Sequence, residues 1–227
     1  MKALIDGDIL VYRIGFASED ENQSIAISRM AEFVEELVMM PGIGDYTGYL
    51  TGSNNYRKEI AKEAPYKGNR TAPKPQHYDL LREYLVKSWA FEMIDGQEAD
   101  DAIGIAAYSM DEEDYMIFTV DKDLDMIRGW HYNFIKNDKY FVDEEDTLRT
   151  FYKQVLTGDR VDNIPGLKGI GPKKADKILG TAVSEEELFS AVLAAYNDDI
   201  QRMTEMAQLL WIRRKENEMW QPPSLFT

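Results

Sequence analysis

Tyr115-Met116-Ile117-Phe118-Thr119-Val120-Asp121-Lys122-Asp123 reads as a near-continuous apolar strand that ends on carboxylates. Leu4-Ile5-Asp6-Gly7-Asp8 repeats that pattern: the short buried strand Ala3-Leu4-Ile5 closes on Asp6, and a helix follows through Ile9–Ile14. Trp89–Ile94 is a further strand candidate, and Gln97-Glu98-Ala99-Asp100-Asp101 opens a helix over Ala99–Tyr108. Between these pieces, residues 24–40 carry Ile27, Met30, Phe33, Val34, Leu37 and Val38 at helical spacing, and Pro41-Gly42 ends the run. Tyr46–Thr51 alternates like a strand and meets the turn signal Gly52-Ser53-Asn54-Asn55. Strands alternating with helices predict an α/β domain with a mostly parallel sheet. In such sheets, sites form at the carboxyl ends of strands. Asp6 and Asp121 fall there, and Glu98 and Asp100 open the helix after Trp89–Ile94.

Downstream, Trp130–Ile135 and Lys139–Val142 flank Asn137-Asp138 as a hairpin. From about Glu144 the pattern turns helical, over 144–156, 172–179, 185–196 and 198–216. The chain therefore divides into an α/β region at 1–143 and a helical region at 144–227. Its 227 residues suffice for one large domain, or for a domain with a small appendage. The absence of cysteine excludes disulfides, thiolate metal sites and a thiol nucleophile. No apolar run is long enough to span a bilayer, and the N-terminus lacks the pattern of a signal peptide. The expectation is a soluble, cytoplasmic protein.

The net charge of −15 argues at first against a nucleic-acid partner. The charge is uneven, however. Residues 57–74 carry Arg57, Lys58, Lys62, Lys67, Arg70 and Lys74 against Glu59 and Glu63 alone. Residues 168–177 carry Lys168, Lys173, Lys174 and Lys177 against Asp176 alone. Part of the acidity is a set of carboxylates in four clusters: Asp6; Glu98, Asp100 and Asp101; Asp121 and Asp123; Asp159 and Asp162. Such crowding is unfavourable unless a cation shares the space. Oxygen-rich sites suit magnesium or manganese, and a pair of such ions is a device for cutting phosphodiesters. The other acidic runs, such as Glu32–Glu36 and Asp143–Asp146, read as solvated faces and loops.

Gly166-Leu167-Lys168-Gly169-Ile170-Gly171-Pro172-Lys173-Lys174-Ala175 places two glycines around an apolar residue just before a helix. Backbone N–H groups there can point at a phosphate. Lys173 and Lys174 oppose the dipole of the helix they begin, a placement that makes sense if phosphate binds. The plain alternative is an ordinary glycine turn between helices.

Asp159-Arg160-Val161-Asp162-Asn163-Ile164-Pro165 together with that glycine segment resembles the signature of structure-specific 5′ nucleases: flap endonucleases, bacteriophage 5′–3′ exonucleases and the 5′-nuclease domain of bacterial DNA polymerase I. Leu4-Ile5-Asp6-Gly7, Glu98-Ala99-Asp100-Asp101-Ala102-Ile103-Gly104 and Asp121-Lys122-Asp123-Leu124 are similar to three more elements of that family. Tyr56-Arg57-Lys58 followed by Tyr66-Lys67-Gly68-Asn69-Arg70 resembles a fifth. The resemblance runs in the family's order from residue 3 to about 180. It implies a PIN-like sheet flanked by helices, a helical arch at about 55–87 and a helix-three-turn-helix element at about 157–180. By the same resemblance, Asp6, Glu98, Asp100, Asp121, Asp123, Asp159 and Asp162 hold two divalent ions, with Asp101 beside them. Lys67 and Arg70 stand in the arch over the scissile phosphate, with Asp6, Asp100 and Asp121 at the catalytic centre. Arg57, Tyr66, Lys67, Arg70, Lys168, Gly169, Gly171, Lys173 and Lys174 meet DNA, and a potassium ion sits at the hairpin. The implied partners are DNA with 5′ ends or flaps and RNA–DNA hybrids, bound by a monomer. The compact length resembles bacteriophage or stand-alone bacterial members, which would put a phage protein in the host cytoplasm.

One departure stands out. The family carries a further Asp at the end of the strand before its arch, and this chain reads Gly48-Tyr49-Leu50-Thr51-Gly52-Ser53 there. That puts the occupancy of one metal site in question. Asp8 is expected to cap the helix after Asp6. Tyr66, beside Lys67, is the aromatic group singled out for stacking on an unpaired base. His77 and His131 are isolated from the acidic motifs and support no acid–base scheme. Two other functions stay open on sequence: an RNA-cutting PIN-type nuclease, and a non-catalytic duplex-DNA-binding module.

Overall fold

The computed structural model describes residues 1–223; the last four residues of the expected helical region lie outside it. Within the described residues a six-stranded sheet forms from β1 (Lys2–Asp6), β2 (Asp45–Asn55), β3 (Glu92–Gly96), β4 (Tyr115–Phe118), β5 (Gly129–Asn133) and β6 (Asp138–Val142). Its order is β3-β2-β1-β4-β5-β6, and every neighbouring pair is parallel except β5 with β6. The carboxyl ends of β1 to β4 therefore share one edge. The central strands β1 and β4 read as continuous apolar runs because both of their faces are covered. Leu4 and Ile117 join the core on one face; Ala3, Ile5, Met116 and Phe118 join the core on the other. That split is the two-residue period of a strand.

The first core extends without a break into the helical region, through Phe151, Tyr152, Phe189 and Leu209. The second is closed by α1 (Gly7–Ala17), α2 (Gln23–Val38) and α4 (Tyr78–Trp89), with α3 (Arg57–Ile60) preceding the last of these. Beyond α5 (Ala99–Tyr108), the helical region holds α6 (Glu144–Thr157), α7 (Pro172–Leu179), α8 (Glu185–Ala195) and α9 (Ile200–Leu210). Between α6 and α7 a two-residue ladder pairs Gly158–Asp159 with Ile164–Pro165. Gly158, at φ +68°, and Gly166 press backbone on backbone there: a Cβ on Gly158 would lie 2.2 Å from the Gly166 nitrogen. Only glycine fits either side of that elbow. None of the described helices is long and apolar enough to cross a membrane.

Four boundaries differ from expectation, the first being β2, which runs on to Asn55 through the stretch read as a turn. α4 continues to Trp89 and stops where Ala90 turns left-handed, at φ 53°, so the next strand starts at Glu92. The helix expected over 198–216 ends at Leu210, because Trp211, Ile212 and Arg213 leave it to bury themselves in the core. The arch segment is helical only at its ends, in α3 and α4. Residues 61–77 form no helix. Pro65, Gly68, Pro73 and Pro75 within eleven residues are reason enough, since proline removes a donor and clashes with the preceding turn.

Candidate active site

Asp6 ends β1 and caps α1: its Oδ1 accepts from the Ile9 N–H at 3.2 Å and its Oδ2 from the Thr119 hydroxyl at 2.9 Å. The cap expected of Asp8 is thus taken by Asp6. The reason is register, because Asp6 has the extended backbone of a cap while Asp8 already lies inside the helix. Asp8 instead reaches across to β2, accepting from the Thr51 N–H at 3.1 Å and from the Arg82 guanidinium at 2.9 Å. Arg82 also donates to the Thr51 carbonyl. The position on β2 that lacks its own acid is therefore supplied with one from α1. Thr51 Oγ1 accepts from the Ala99 N–H at 2.9 Å, which ties β2 to the start of α5.

Asp100, Asp121, Asp123, Asp159 and Asp162 line a single cleft of about 420 Å³, together with Lys67, Arg70 and Arg160. Asp100 projects from the first turn of α5, and Asp121 caps a short 3-10 turn by accepting from the Asp123 N–H at 3.0 Å. Asp159 caps the turn that carries Asp162, accepting from the Val161 N–H at 2.7 Å. Gln154 donates to Asp123 at 2.9 Å. Burial, then the neighbouring charges of Asp8 and Asp121, push the Asp6 carboxyl up to about 7. Burial, then Asp121 and Asp159, do the same to Asp123, also to about 7. Asp100 is raised well above the carboxylate range by burial and by Asp6, Asp121 and Glu98. Burial raises Asp121 as well, with Asp162 and Asp159 adding to it. Acids so crowded resist full ionisation until a cation joins them.

Two cations of the chain are already present. Lys67 Nζ contacts Glu98, and lies 3.4 Å from Asp162. Arg70 donates to Asp162 at 2.6 Å. Burial alone would depress the Lys67 ammonium, but Glu98 and Asp162 raise its pKa above the ordinary lysine value. Among the described residues, no three acids close on one point as the ligands of a single ion. The donor set nonetheless fits a hard divalent cation, being all oxygen and anionic.

Three residues expected to be functional face elsewhere. Asp101 is fully buried and forked by Arg57, at 2.5 and 2.9 Å, and it also accepts from the N–H groups of Arg213 and Glu98. It has no lone pair directed at the cleft, so its expected part as a metal ligand gives way to a structural one. Arg57 is buried with it and donates further to the Leu209 and Trp211 carbonyls, so it presents nothing to DNA. Tyr66 is buried too, its hydroxyl within hydrogen-bond reach of both Glu98, at 2.8 Å, and Asp162, at 2.6 Å, with one proton to share between them, and its ring cannot stack on a base. Arg82 was not foreseen. No local motif marks it, and the partners that tie it to this site, Thr51 and Asp8, are 31 and 74 residues away.

The glycine hairpin is held by the Leu167 N–H on the Leu156 carbonyl and the Ile170 N–H on the Leu167 carbonyl. Lys168, Gly169, Gly171, Lys173 and Lys174 are all exposed. Gly169 has φ +79°, and Lys174 Nζ donates back to its carbonyl at 2.8 Å.

No family model matches the chain. DNA polymerase I of Bacillus caldotenax is 28% identical over 215 residues, 83% of this chain and 24% of the polymerase. A 5′–3′ exonuclease of Buchnera aphidicola is 29% identical over 201 residues, 76% of this chain and 67% of the exonuclease. The chain thus spans about a quarter of the one and two thirds of the other. Among solved structures, the T5 D15 protein co-crystallised with metal ions matches at a TM-score of 0.70 and 18% identity, covering 92% of this chain and 88% of that one.

Proposed function

We propose, from its likeness in sequence to a 5′–3′ exonuclease and DNA polymerase I and in fold to the T5 D15 protein, that the chain is a structure-specific 5′ nuclease that hydrolyses DNA phosphodiesters near 5′ ends and 5′ flaps with divalent metal. The observation that carries this reading is the convergence of Asp100, Asp121, Asp123, Asp159 and Asp162 on one cleft, with Asp6 buried behind them. Those six acids and Glu98 would hold two magnesium or manganese ions. The ions, when bound, supply an activated water and steady the leaving oxygen. The chain's own groups do the rest. Tyr66 and Gln154 orient Glu98, Asp162 and Asp123 by hydrogen bonds. Lys67 and Arg70 reach the same cleft, where they offset the charge on a bound phosphate. Arg70 is able to fork two of its oxygens.

Duplex would lie on the hairpin, read through its backbone and not its sequence. The Lys174 ammonium already occupies the Gly169 carbonyl, so a potassium ion there would have to displace it. Lys168 and Lys173 are left to meet phosphates. Lys173→Ala is accordingly expected to weaken duplex binding about equally for all sequences and to lower the slope of log K against log salt by about one. A titration giving parent and variant the same slope would remove the hairpin from the binding surface.

Product mapping tests the activity itself. On end-labelled 5′-flap, nicked and RNA–DNA hybrid substrates with magnesium, products should carry a 5′-phosphate and a 3′-hydroxyl, and EDTA should stop their formation. Cutting that persists in EDTA would reject the metal reading. Cleavage confined to unstructured RNA would replace the substrate class.

A further inference from the structure

Asp8 lies in the first turn of α1, and its side chain leaves that helix for β2, where Oδ2 accepts from the Thr51 N–H at 3.1 Å. Register explains how an acid on α1 arrives there. β1 ends on Asp6, opposite Tyr49, and Thr51 lies two residues further along β2, past the end of its neighbour. Gly7 lets α1 begin hard against β2, since a Cβ on it would lie 2.5 Å from the Tyr49 carbonyl. With that gap closed, a side chain as short as aspartate spans from position 8 to the Thr51 amide. Thr51 in turn pairs with Ile94 of β3 and holds the Ala99 N–H through its own hydroxyl at 2.9 Å. Asp8 thus stands where α1, β2 and the start of α5 meet, near enough for its charge to act on Asp6 and for that of Glu98 to act on it.

Arg82 is built around this acid. It reaches in from α4 with its side chain only 12% exposed. Its Nη1 donates to Asp8 at 2.9 Å and to the Tyr78 hydroxyl at 3.3 Å, and its Nη2 donates to the Thr51 carbonyl. The guanidinium also lies 5.3 Å from the centre of the Tyr78 ring. Both Nη groups are spent on the protein, so Arg82 acts by holding Asp8 against Thr51 and not by meeting a phosphate. Asp8 itself is not used up. Each carboxylate oxygen has two acceptor directions, and the Thr51 N–H and Arg82 fill one each. A quarter of its side chain, 26%, is open to solvent. A stitch between α1 and β2 needs hydrogen bonds alone. A negative charge set among other acids, with a nearly buried arginine to hold it, is costly for that purpose and suits a hard divalent cation.

We propose that Asp8 is a further acid of the divalent-cation site, standing in for the carboxylate that β2 lacks, and that Arg82 is the residue that positions it. This rests on the nuclease reading above and extends the acid set of that same site. The chain has moved the charge from strand to helix and added an arginine on a third element to aim it.

The test is Mn²⁺ titration of the full chain without DNA, the free ion being followed by its EPR signal, with melting in EDTA to report folding separately. The parent is expected to take up the two ions proposed above. Arg82→Met removes only the group that aims the acid, and should weaken the looser ion by about tenfold. Asp8→Asn should weaken it by at least as much. Thr51→Asp placed on the Asp8→Asn background returns a carboxylate to β2 and should recover most of the lost affinity, although the bond from α1 to β2 is not restored. A merely structural Asp8 would not be rescued in that way. An Asp8→Asn isotherm that overlays the parent's would reduce Asp8 to a stitch, and so would a loss that Thr51→Asp fails to return. A parent that binds Mn²⁺ as expected yet cuts no 5′-flap DNA in magnesium would sink the nuclease reading and leave the Asp8 assignment standing. A parent that binds no Mn²⁺ would overturn both.

Discussion

Asp100→Asn is expected to lower the rate of cutting by on the order of 10³-fold or more while making the protein harder to melt. Asparagine keeps the shape and deletes one negative charge from the centre of the cleft. The loss of rate follows because Asp100 stands among the other acids, with Asp6, Asp121 and Glu98 all acting on it. A site that loses such a group loses transition-state stabilisation that preorganised charge supplied. The gain in stability follows from the same crowding: near neutral pH a carboxyl whose pKa the fold raises must take up a proton to be buried there, and an amide need not. Each kcal/mol relieved raises Tm by about 2–4 °C in a chain of this size. Melting in EDTA beside single-turnover cutting in magnesium is the measurement. A variant that lost both activity and stability would show Asp100 to be a structural group instead.

Arg57→Met is expected to act the other way. It leaves Asp101 buried, charged and without its fork, a situation that costs about 3–5 kcal/mol. At about 2–4 °C per kcal/mol, Tm should fall by about 6–20 °C. The double variant Arg57→Met with Asp101→Asn should recover part of that loss, because no charge is then stranded and the amide oxygen can still accept an N–H. Burial alone would raise the Asp101 pKa, but Arg57 and the Arg213 and Glu98 N–H groups hold it below the ordinary value. Its contribution to stability is therefore complete above about pH 4, and fades as acid titrates the folded form below that. A single variant melting within about 2 °C of the parent, against the 2–4 °C that one kcal/mol moves, would refute the buried-pair account.

The parallel sheet was legible because β1 and β4 are short apolar runs that stop on carboxylates, a pattern that survives any detail of packing. The placement of Asp6, Asp100 and Asp121 at one edge of the sheet was legible for the same reason, being where strands end or a helix begins. Arg57 was not. In sequence it heads a basic stretch, and nothing local tells that Asp101, 44 residues on, would draw it inward. Tyr66 misled likewise, since its neighbour Lys67 suggested a surface while the partners that bury it, Glu98 and Asp162, are 32 and 96 residues distant. Thr51 looked like a deletion, and only the fold shows Asp8 arriving from α1 to share that position on β2. The middle of the arch segment was readable in principle. Its prolines forbid helix, and no helix lies between α3 and α4.

The glycine elbow at Gly158 and Gly166 joins the acids to the lysines. Asp159 and Asp162 stand on one arm, Lys168 and Lys173 on the other, and the backbones between them touch too closely to slide. Such a stiff joint acts as a ruler. On the proposed reading, where the duplex is gripped would decide, through a fixed length of chain, which bond falls over the acids, so the position of the break would be measured from the double-stranded part and not from the end of the tail.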